Sequence, residues 1–176
     1  LEPDGMFPNH IPNPENAEAM ASICEAVREA KADLGLIFDT DVDRAGCVDS
    51  DGEEINRNRL IALSAYIAAS GRKGAVIVTD SVTSDGLKEF IEKSLGGIHY
   101  RYRRGYKNVI NKAIELNNEG KDCPLAIETS GHAALKENYF LDDGAYLVTK
   151  IVIELAKGTD LNTLLKPLKM PAEERE

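Results

Sequence analysis

The chain has 176 residues and a mass of 19.2 kDa, the size of one domain or of one domain with part of another. Its 43% hydrophobic and 29% charged residues exclude a disordered, collagen-like or membrane-spanning chain. The 21 basic and 30 acidic side chains give a net charge of -9, so we expect neither nucleic acid nor an anionic membrane as a partner. An anionic substrate would need a local basic or metal site.

The cysteines indicate a reducing compartment. Cys24, Cys47 and Cys123 are odd in number and widely spaced, which fits neither a disulfide framework nor a zinc site. We expect all three to be small buried residues.

No basic leader is visible, and no apolar run approaches the ~20 residues that cross a bilayer. We therefore expect a cytoplasmic protein.

The first part of the chain is predicted to form a loop, a helix and two strands. Four of the seven prolines lie in residues 3–14, which prevents regular structure there. Asn13-Pro14-Glu15 supplies an N-cap, a first-position proline and an acidic first turn, so it predicts a helix to about Lys31. The apolar stripe of this helix is Met20, Ile23, Cys24 and Val27. Strands are predicted at residues 34–38 and 46–49.

Beyond residue 59 the predicted strands and helices alternate. A charge-rich stretch, residues 49–59, is the expected domain boundary. Strands are predicted at residues 75–78, 98–102 and 125–127, and helices are expected around residues 60–67, 87–91, 109–114 and 148–155. This alternation predicts an α/β layer fold, in which loops leaving the carboxyl ends of strands form the sites.

The first such loop is Asp39-Thr40-Asp41-Val42-Asp43-Arg44. Three alternate carboxylates after a buried strand favour Mg²⁺ or Ca²⁺ over zinc. An EF-hand is excluded, because Arg44 and Ser50 stand where that loop needs glycine and a bidentate glutamate. The alternative is a solvated acidic turn.

A second loop follows the strand at residues 125–127. Glu128-Thr129-Ser130-Gly131-His132 combines a carboxylate, a hydroxyl and an imidazole that could bind sugar hydroxyls or a phosphate oxygen. The alternative is a helix cap provided by Ser130.

A third, basic segment contains Arg101, Arg103 and Arg104 and leads to Gly105-Tyr106-Lys107. It could attract an anionic ligand, or it could be an edge strand protected by charge. His10 and His99 are isolated, so we expect structural or surface roles for both.

These motifs resemble those of the α-D-phosphohexomutase superfamily, which includes phosphoglucomutases and phosphomannomutases. The resemblance rests on the opening segment 3–15, the loop 39–44 and the loop 128–132, in that order, with Gly105-Tyr106-Lys107 as a weaker match. It implies a mixed-sheet α/β fold. It also implies a reversible transfer of phosphate between C1 and C6 of a hexose, through a phosphoserine and a bisphosphorylated sugar.

The resemblance implies that the chain is part of a longer, four-domain parent. The sequence has no Ser-His-Asn-Pro and no Arg-x-Ser-Gly-Thr, the family's segments in domains 1 and 4. Residues 1–53 would then be the end of domain 2, residues 54–168 would be domain 3, and residues 169–176 would be a linker toward domain 4. We expect the isolated chain to be inactive.

The resemblance also assigns roles to individual residues. Asp39, Asp41 and Asp43 would hold Mg²⁺, and Arg44 would lie beside the transferred phosphoryl group. A phosphosugar would be bound by Glu128 and Ser130 through its hydroxyls. His132 and Lys107 would position the ligand or move protons.

Two other functions remain open. A haloacid-dehalogenase-type phosphatase would use Asp39 as nucleophile and Asp41 as acid/base, with Thr79, Lys107 and the pair Asp142-Asp143 in the expected order. That interpretation leaves Asp43, the proline-rich opening and the loop 128–132 unexplained. The chain could also be a metal- or sugar-binding module without turnover.

Overall fold

In the computed structural model, which describes residues 3–171, two β-sheets alternate with layers of helices. The α-helices are α1 (Ala17–Ala30), α2 (Arg57–Ala69), α3 (Asp85–Glu89), α4 (Tyr106–Asn118), α5 (Gly144–Ala156) and α6 (Leu161–Leu165). The strands are β1 (Leu34–Phe38), β2 (Ala45–Asp49), β3 (Glu54–Ile55), β4 (Val76–Thr79), β5 (Ile98–Arg101), β6 (Leu125–Ile127) and β7 (Ala133–Leu135). A π-helical turn, Phe90–Ser94, continues α3, and a 3₁₀ turn, Lys136–Asn138, follows β7. Within residues 3–171, no helix has the length and apolar character that a membrane crossing requires.

The first sheet is antiparallel and has the strand order β1-β2-β3. β1 and β2 pair from Leu34 opposite Asp49 to Phe38 opposite Ala45, so the acidic residues 39–43 lie in the connection between these strands. α1 packs on one face of the sheet through Met20 and Val27, which are buried against Ile37 and Val48. The apolar stripe predicted for α1 therefore forms the contact between this helix and the sheet.

The second sheet is mixed and has the strand order β5-β4-β6-β7. β4 is parallel to both β5 and β6, whereas β6 and β7 are antiparallel. α4 covers one face of this sheet, and α2 and α5 lie on the other face, between the two sheets. The predicted mixed-sheet α/β fold class is therefore confirmed.

One hydrophobic core crosses the predicted domain boundary. Cys47 of β2 and Ile55 of β3 belong to the same buried cluster as Leu60 of α2 and Ile127 of β6. Burial of each such leucine or isoleucine contributes roughly 1.5–3 kcal/mol. The division into residues 1–53 and 54–168 stays a prediction, and residues 172–176 of the predicted linker lie outside the described residues.

The structure corrects the predicted start of α1. The helix begins at Ala17, and the Asn16 side chain caps it by accepting a hydrogen bond from the Ala19 N–H at 2.9 Å. The prediction of Asn13 as N-cap is wrong, because the Asn13 side chain accepts from the Glu15 N–H in a turn that precedes the helix. The prediction of buried cysteines is confirmed, since all three are buried and free.

Candidate functional site

Two loops far apart in sequence meet at one place. The acidic loop, residues 39–44, follows β1, and the Ser-Gly loop, residues 128–132, connects β6 to β7. Ala45 N donates to Gly131 O at 3.3 Å, and Arg44 pairs with His132 in an isolated antiparallel bridge. Backbone contacts therefore hold the two loops together.

Two glycines permit this close approach. A Cβ atom at Gly131 would lie 2.7 Å from Ala45 O, and the φ angle of Gly131 is +99°. A Cβ atom at Gly144, the first residue of α5, would lie 2.8 Å from Val42 O. The Gly144 N–H donates to that same oxygen at 3.0 Å, so the acidic loop is also fixed to the start of α5. Any larger side chain at either position would separate the backbones.

The acidic loop contains a hydrogen-bonded pair, the buried Asp39 and the half-buried Arg44. The Asp39 carboxylate is 6% exposed and accepts from Arg44 N at 3.1 Å and from Arg44 Nε at 2.7 Å. Burial raises the pKa of Asp39, but the hydrogen bonds from Arg44 outweigh it and hold this pKa below its ordinary value. Arg44 Nη1 also donates to Asn13 Oδ1 at 3.3 Å, which ties the proline-rich segment to the site.

The three predicted metal ligands lie close enough to share a cation. Carboxylate oxygens of Asp39, Asp41 and Asp43 all lie within 4.8 Å of one another. Burial, together with the negative charges of Asp39 and Asp142, raises the pKa of Asp43 to about 6, although the charge of His132 opposes the shift. Crowded hard oxygen donors are stabilised by a divalent cation, so these residues fit Mg²⁺.

His132 is surrounded by acidic and aromatic side chains. Its Nδ1 lies 2.8 Å from Asp142 Oδ2 and 3.6 Å from Asp43 Oδ2. Its ring stacks on Tyr106, with ring centroids 4.8 Å apart and an interplanar angle of 18°. Burial lowers the pKa of His132, but the hydrogen bond to Asp142 and the nearby carboxylates outweigh it and raise this pKa above its ordinary value.

Glu128 and Ser130 differ in how freely their side chains could reach a ligand. Glu128 is 4% exposed, and its Oε1 accepts from Gly105 N at 2.6 Å, at the start of α4. Burial raises the pKa of Glu128 above its ordinary value, against the effect of that hydrogen bond. Ser130 is half-buried, and within residues 3–171 its hydroxyl has no hydrogen-bond partner. The helix-cap interpretation of Ser130 is wrong, because an antiparallel strand follows it.

The basic segment, residues 101–107, contributes less positive charge to the candidate site than its composition suggests. Arg101 is paired with Asp85 at 2.7 Å, and Arg103 lies over the Tyr102 ring at 5.5 Å from its centroid. β5 is an edge strand that ends at Arg101, so a charged edge accounts for Arg101. Lys107 is exposed, with Nζ 5.7 Å from the centroid of the Tyr106 ring that stacks on His132.

Sequence reasoning missed Asp80, a buried carboxylate behind the Ser-Gly loop. Asp80 follows β4 and is fully buried, and its Oδ2 accepts from Thr129 N at 3.2 Å and from Thr129 Oγ1 at 2.6 Å. It therefore links the carboxyl ends of the adjacent strands β4 and β6. The sequence feature that could have identified Asp80 is its position directly after the buried strand β4. Tyr106 and Asp142 were also missed as neighbours of His132.

The geometry does not support the phosphatase interpretation. In that interpretation Asp39 and Thr79 would act on one phosphate from neighbouring strands. β1 lies in the antiparallel sheet and β4 in the mixed sheet, so their ends are not adjacent strand ends.

The fold and the joined loops define an α/β protein with an acidic loop beside a loop rich in hydrogen-bonding groups. The family model for the phosphoglucomutase/phosphomannomutase α/β/α domain II matches residues 1–52, and the model for domain III matches residues 56–170. The chain belongs to the phosphoglucomutase/phosphomannomutase family, which confirms the resemblance seen in the sequence.

Individual relatives agree with this family. A phosphomannomutase/phosphoglucomutase of Pseudomonas putida is 34% identical over 89% of the chain and 33% of the relative. A phosphomannomutase of Methanocaldococcus jannaschii is 37% identical over 78% of the chain and 30% of the relative. A solved family member from Burkholderia thailandensis superposes with a TM-score of 0.81 and 33% identity, over 95% of the chain and 35% of that protein. The chain thus spans about a third of the length of these relatives.

A more distant neighbour shares the fold. The N-acetylphosphoglucosamine mutase of Aspergillus fumigatus, solved with GlcNAc-6P and magnesium, superposes with a TM-score of 0.58 and 16% identity. The superposition covers 83% of the chain and 39% of that protein.

Proposed function

We propose that this chain is the metal- and sugar-binding part of a cytoplasmic phosphohexomutase that interconverts hexose 1-phosphate and hexose 6-phosphate. The observation that carries the proposal is the backbone junction of the acidic loop with the Ser-Gly loop at Ala45 and Gly131. This junction brings a cation site next to groups that can bind sugar hydroxyls. Domains 1 and 4 of a longer parent would complete the cleft, which fits the share of the relatives that the chain covers.

Asp39, Asp41 and Asp43 would hold Mg²⁺. When bound, this cation would neutralise charge on the phosphoryl group that passes between the enzyme's phosphoserine and the sugar. Support comes from the shared reach of the three carboxylates and from the magnesium complex of the distant fungal neighbour.

Arg44, the cationic residue of the acidic loop, would bind the transferred phosphoryl group. Asp39 and Asn13 accept hydrogen bonds from Arg44 Nε and Nη1, so this guanidinium is held in place before a ligand arrives. A planar guanidinium suits the oxygens of a phosphoryl group. Lys107, which is exposed beside Tyr106, would add a second positive charge for the anionic substrate.

The Ser-Gly loop would bind the hexose. The Glu128 Oε1 atom already accepts from Gly105 N, which fixes the carboxylate and leaves Oε2 for a sugar hydroxyl. The Ser130 hydroxyl, free of partners within residues 3–171, would make a second contact. His132, the last residue of the loop, would position the ligand or move its proton.

The test separates sugar binding from phosphoryl transfer in the full-length protein. Glu128→Gln should lower kcat/KM about ten- to hundredfold, because a hydrogen bond to a charged acceptor contributes roughly 1.5–3 kcal/mol. Ser130→Ala should lower it less, and both variants should still be phosphorylated on the enzyme. Asp41→Asn should instead slow phosphoryl transfer and spare sugar binding.

A matched control is Glu137→Gln, since Glu137 pairs with Lys150 outside the two loops. We expect this control to keep wild-type kinetics. Full activity of the Glu128 and Ser130 variants would contradict the assigned roles. Binding of phosphosugar and metal without any turnover by the full-length protein would favour a non-catalytic binding module.

A further inference from the structure

We propose that Asp142 is a positioning residue that holds His132 in its Nδ1–H tautomer and leaves Nε2 as the nitrogen available to a ligand. The contribution of Asp142 to turnover rests on the proposed function, whereas the tautomer can be tested in the chain alone. Asp142 lies directly before Asp143, the N-cap of α5, and outside both loops of the site.

The geometry favours one partner for the imidazole. His132 Nδ1 and Asp142 Oδ2 are 2.8 Å apart, which is a hydrogen bond, whereas Asp43 Oδ2 at 3.6 Å is beyond hydrogen-bond distance. The side chains of His132 and Asp142 are only 16% and 14% exposed, so little water competes for the bond. Within residues 3–171, the Asp142 side chain accepts no other hydrogen bond, and its Oδ1 is buried without a partner.

Both partners are also fixed by their own backbones. His132 pairs with Arg44 and Asp142 pairs with Ala134 in isolated antiparallel bridges. The Tyr106 ring, stacked on the imidazole, fixes the plane of His132 from a third direction. A hydrogen bond between two anchored side chains sacrifices little conformational freedom, so we expect it to persist in solution.

The chemistry of the pair sets the tautomer. An ionised carboxylate only accepts hydrogen bonds, so the neutral imidazole must carry its proton on Nδ1. Nε2 then holds a lone pair, and within residues 3–171 it has no hydrogen-bond partner. Asp142 therefore orients the ring, and Nε2 is the nitrogen that can accept a hydrogen bond from a ligand hydroxyl.

The first experiment is ¹⁵N NMR of the 176-residue chain with labelled histidine. The sequence has only His10, His99 and His132, so each ring can be assigned by substituting one histidine at a time. At pH 9, where the rings are neutral, we expect the His132 signals of the Nδ1–H tautomer. Asp142→Ala should shift His132 toward the Nε2–H tautomer that free imidazoles favour.

Asp43→Ala is the matched control, because it removes the more distant carboxylate by the same substitution. We expect this variant to keep the Nδ1–H tautomer, and unchanged His99 signals will show that each variant is folded. A wild-type Nε2–H tautomer would overturn the proposal, whether or not Asp142→Ala folds. A tautomer that changes in Asp43→Ala and not in Asp142→Ala would overturn it as well.

The second experiment uses the full-length protein. Asp142→Ala should lower kcat about ten- to hundredfold and leave KM nearly unchanged, because Asp142 acts through His132 and does not touch the sugar. In a His132→Ala background the same change should have no further effect. Additive losses would overturn the positioning role, whereas a full-length protein without mutase activity would reject the proposed function and leave the tautomer result standing.

Discussion

Val42 occupies a backbone conformation that β-branched residues rarely adopt. Its φ angle is +64°, in the middle of the acidic loop, and its carbonyl oxygen accepts from the N–H of Gly144. The left-handed region costs a non-glycine residue about 1–2 kcal/mol. The contact with Gly144 therefore holds Val42 in a strained conformation beside the candidate metal ligands.

Replacing Val42 by glycine should relieve this strain. Glycine also makes the unfolded chain more flexible, at about 0.5–1 kcal/mol, so we expect Val42→Gly to raise the free energy of unfolding by about 0.5 kcal/mol. Val82, another exposed valine, has no positive φ angle, and Val82→Gly should lower stability. Urea unfolding of both variants measures the difference, and equal losses would show that Val42 is not strained.

His99 predicts a dependence of stability on pH. Its Nε2 is hydrogen-bonded to Thr79 Oγ1 at 2.7 Å, and its Nδ1 is buried without a partner within residues 3–171. Burial, and next the positive charges of Arg101 and Lys88, lower the pKa of His99 from 6.5 to about 4. The unfolded chain therefore binds a proton at a pH where the folded protein does not. The contribution of the neutral, buried His99 to the free energy of unfolding is fully present above pH 6.5, and it is lost as the pH falls toward the folded-state pKa of about 4.

The variant His99→Gln should remove this dependence. Between pH 6.5 and 4, the free energy of unfolding of the wild type should fall faster than that of the variant, by up to about 1.4 kcal/mol per pH unit. Urea unfolding at several pH values measures both slopes, and comparing them cancels the contribution of the carboxylates common to both proteins. Parallel slopes would show that His99 does not remain neutral in the folded chain.

The contact between the acidic loop and the Ser-Gly loop depends on Gly131. Gly131→Ala would combine an unfavourable φ angle with a Cβ atom 2.7 Å from Ala45 O. Gly120 has a similar φ angle of +83° but nothing within 4 Å of its Cβ position, so Gly120→Ala isolates the backbone strain. We expect Gly131→Ala to be about 2 kcal/mol more destabilising than Gly120→Ala, because it also breaks the hydrogen bond between the loops.

Hydrogen exchange locates that effect. The Ala45 N–H, which donates to Gly131 O, should exchange faster in Gly131→Ala and at the wild-type rate in Gly120→Ala. Equal stability and equal exchange in the two variants would mean that the loops meet without needing a glycine.

Local sequence patterns predicted most of the helices and strands. Residues 34–38 and 125–127 were predicted with the bounds that the structure has for β1 and β6, because each is a short apolar run between polar loops. β7 was missed, since Ala133-Ala134-Leu135 has no β-branched residue and directly follows a loop that also resembles a helix cap. The short strand β3 and the short helix α6 were missed as well.

The spatial relations within the site were harder to predict. The bridge between Arg44 and His132 and the bond between His132 and Asp142 depend on how two sheets pack, which no local pattern encodes. The acidic loop and the Ser-Gly loop were each recognised by composition, but their contact through Gly131 was not. Asp80 was overlooked because its role depends on Thr129, a partner on a different strand end.

The two sheets and the helices between them share one core, so we expect residues 3–171 to unfold as a unit. Cys47 of the first sheet, Leu125 of the second, and Leu60 and Ile151 of α2 and α5 all belong to the same buried cluster. A cluster that includes both sheets couples the geometry of the acidic loop to that of the Ser-Gly loop. Ligand binding to this chain should therefore need no closure of one sheet onto the other.

Binding without turnover is the final expectation for the 176-residue chain. A phosphoryl-transfer cycle needs a donor, and the sequence contains no Ser-His-Asn-Pro segment to carry one. With Mg²⁺ and a hexose 1-phosphate, we expect NMR shift changes at residues 39–44 and 128–132 but no hexose 6-phosphate. Asp41→Asn should abolish the metal-dependent changes and spare those caused by the sugar. Measurable conversion of hexose 1-phosphate to hexose 6-phosphate by the purified chain would contradict the assigned roles. Unaltered metal binding in Asp41→Asn would show that the acidic loop is a solvated turn and not a metal site.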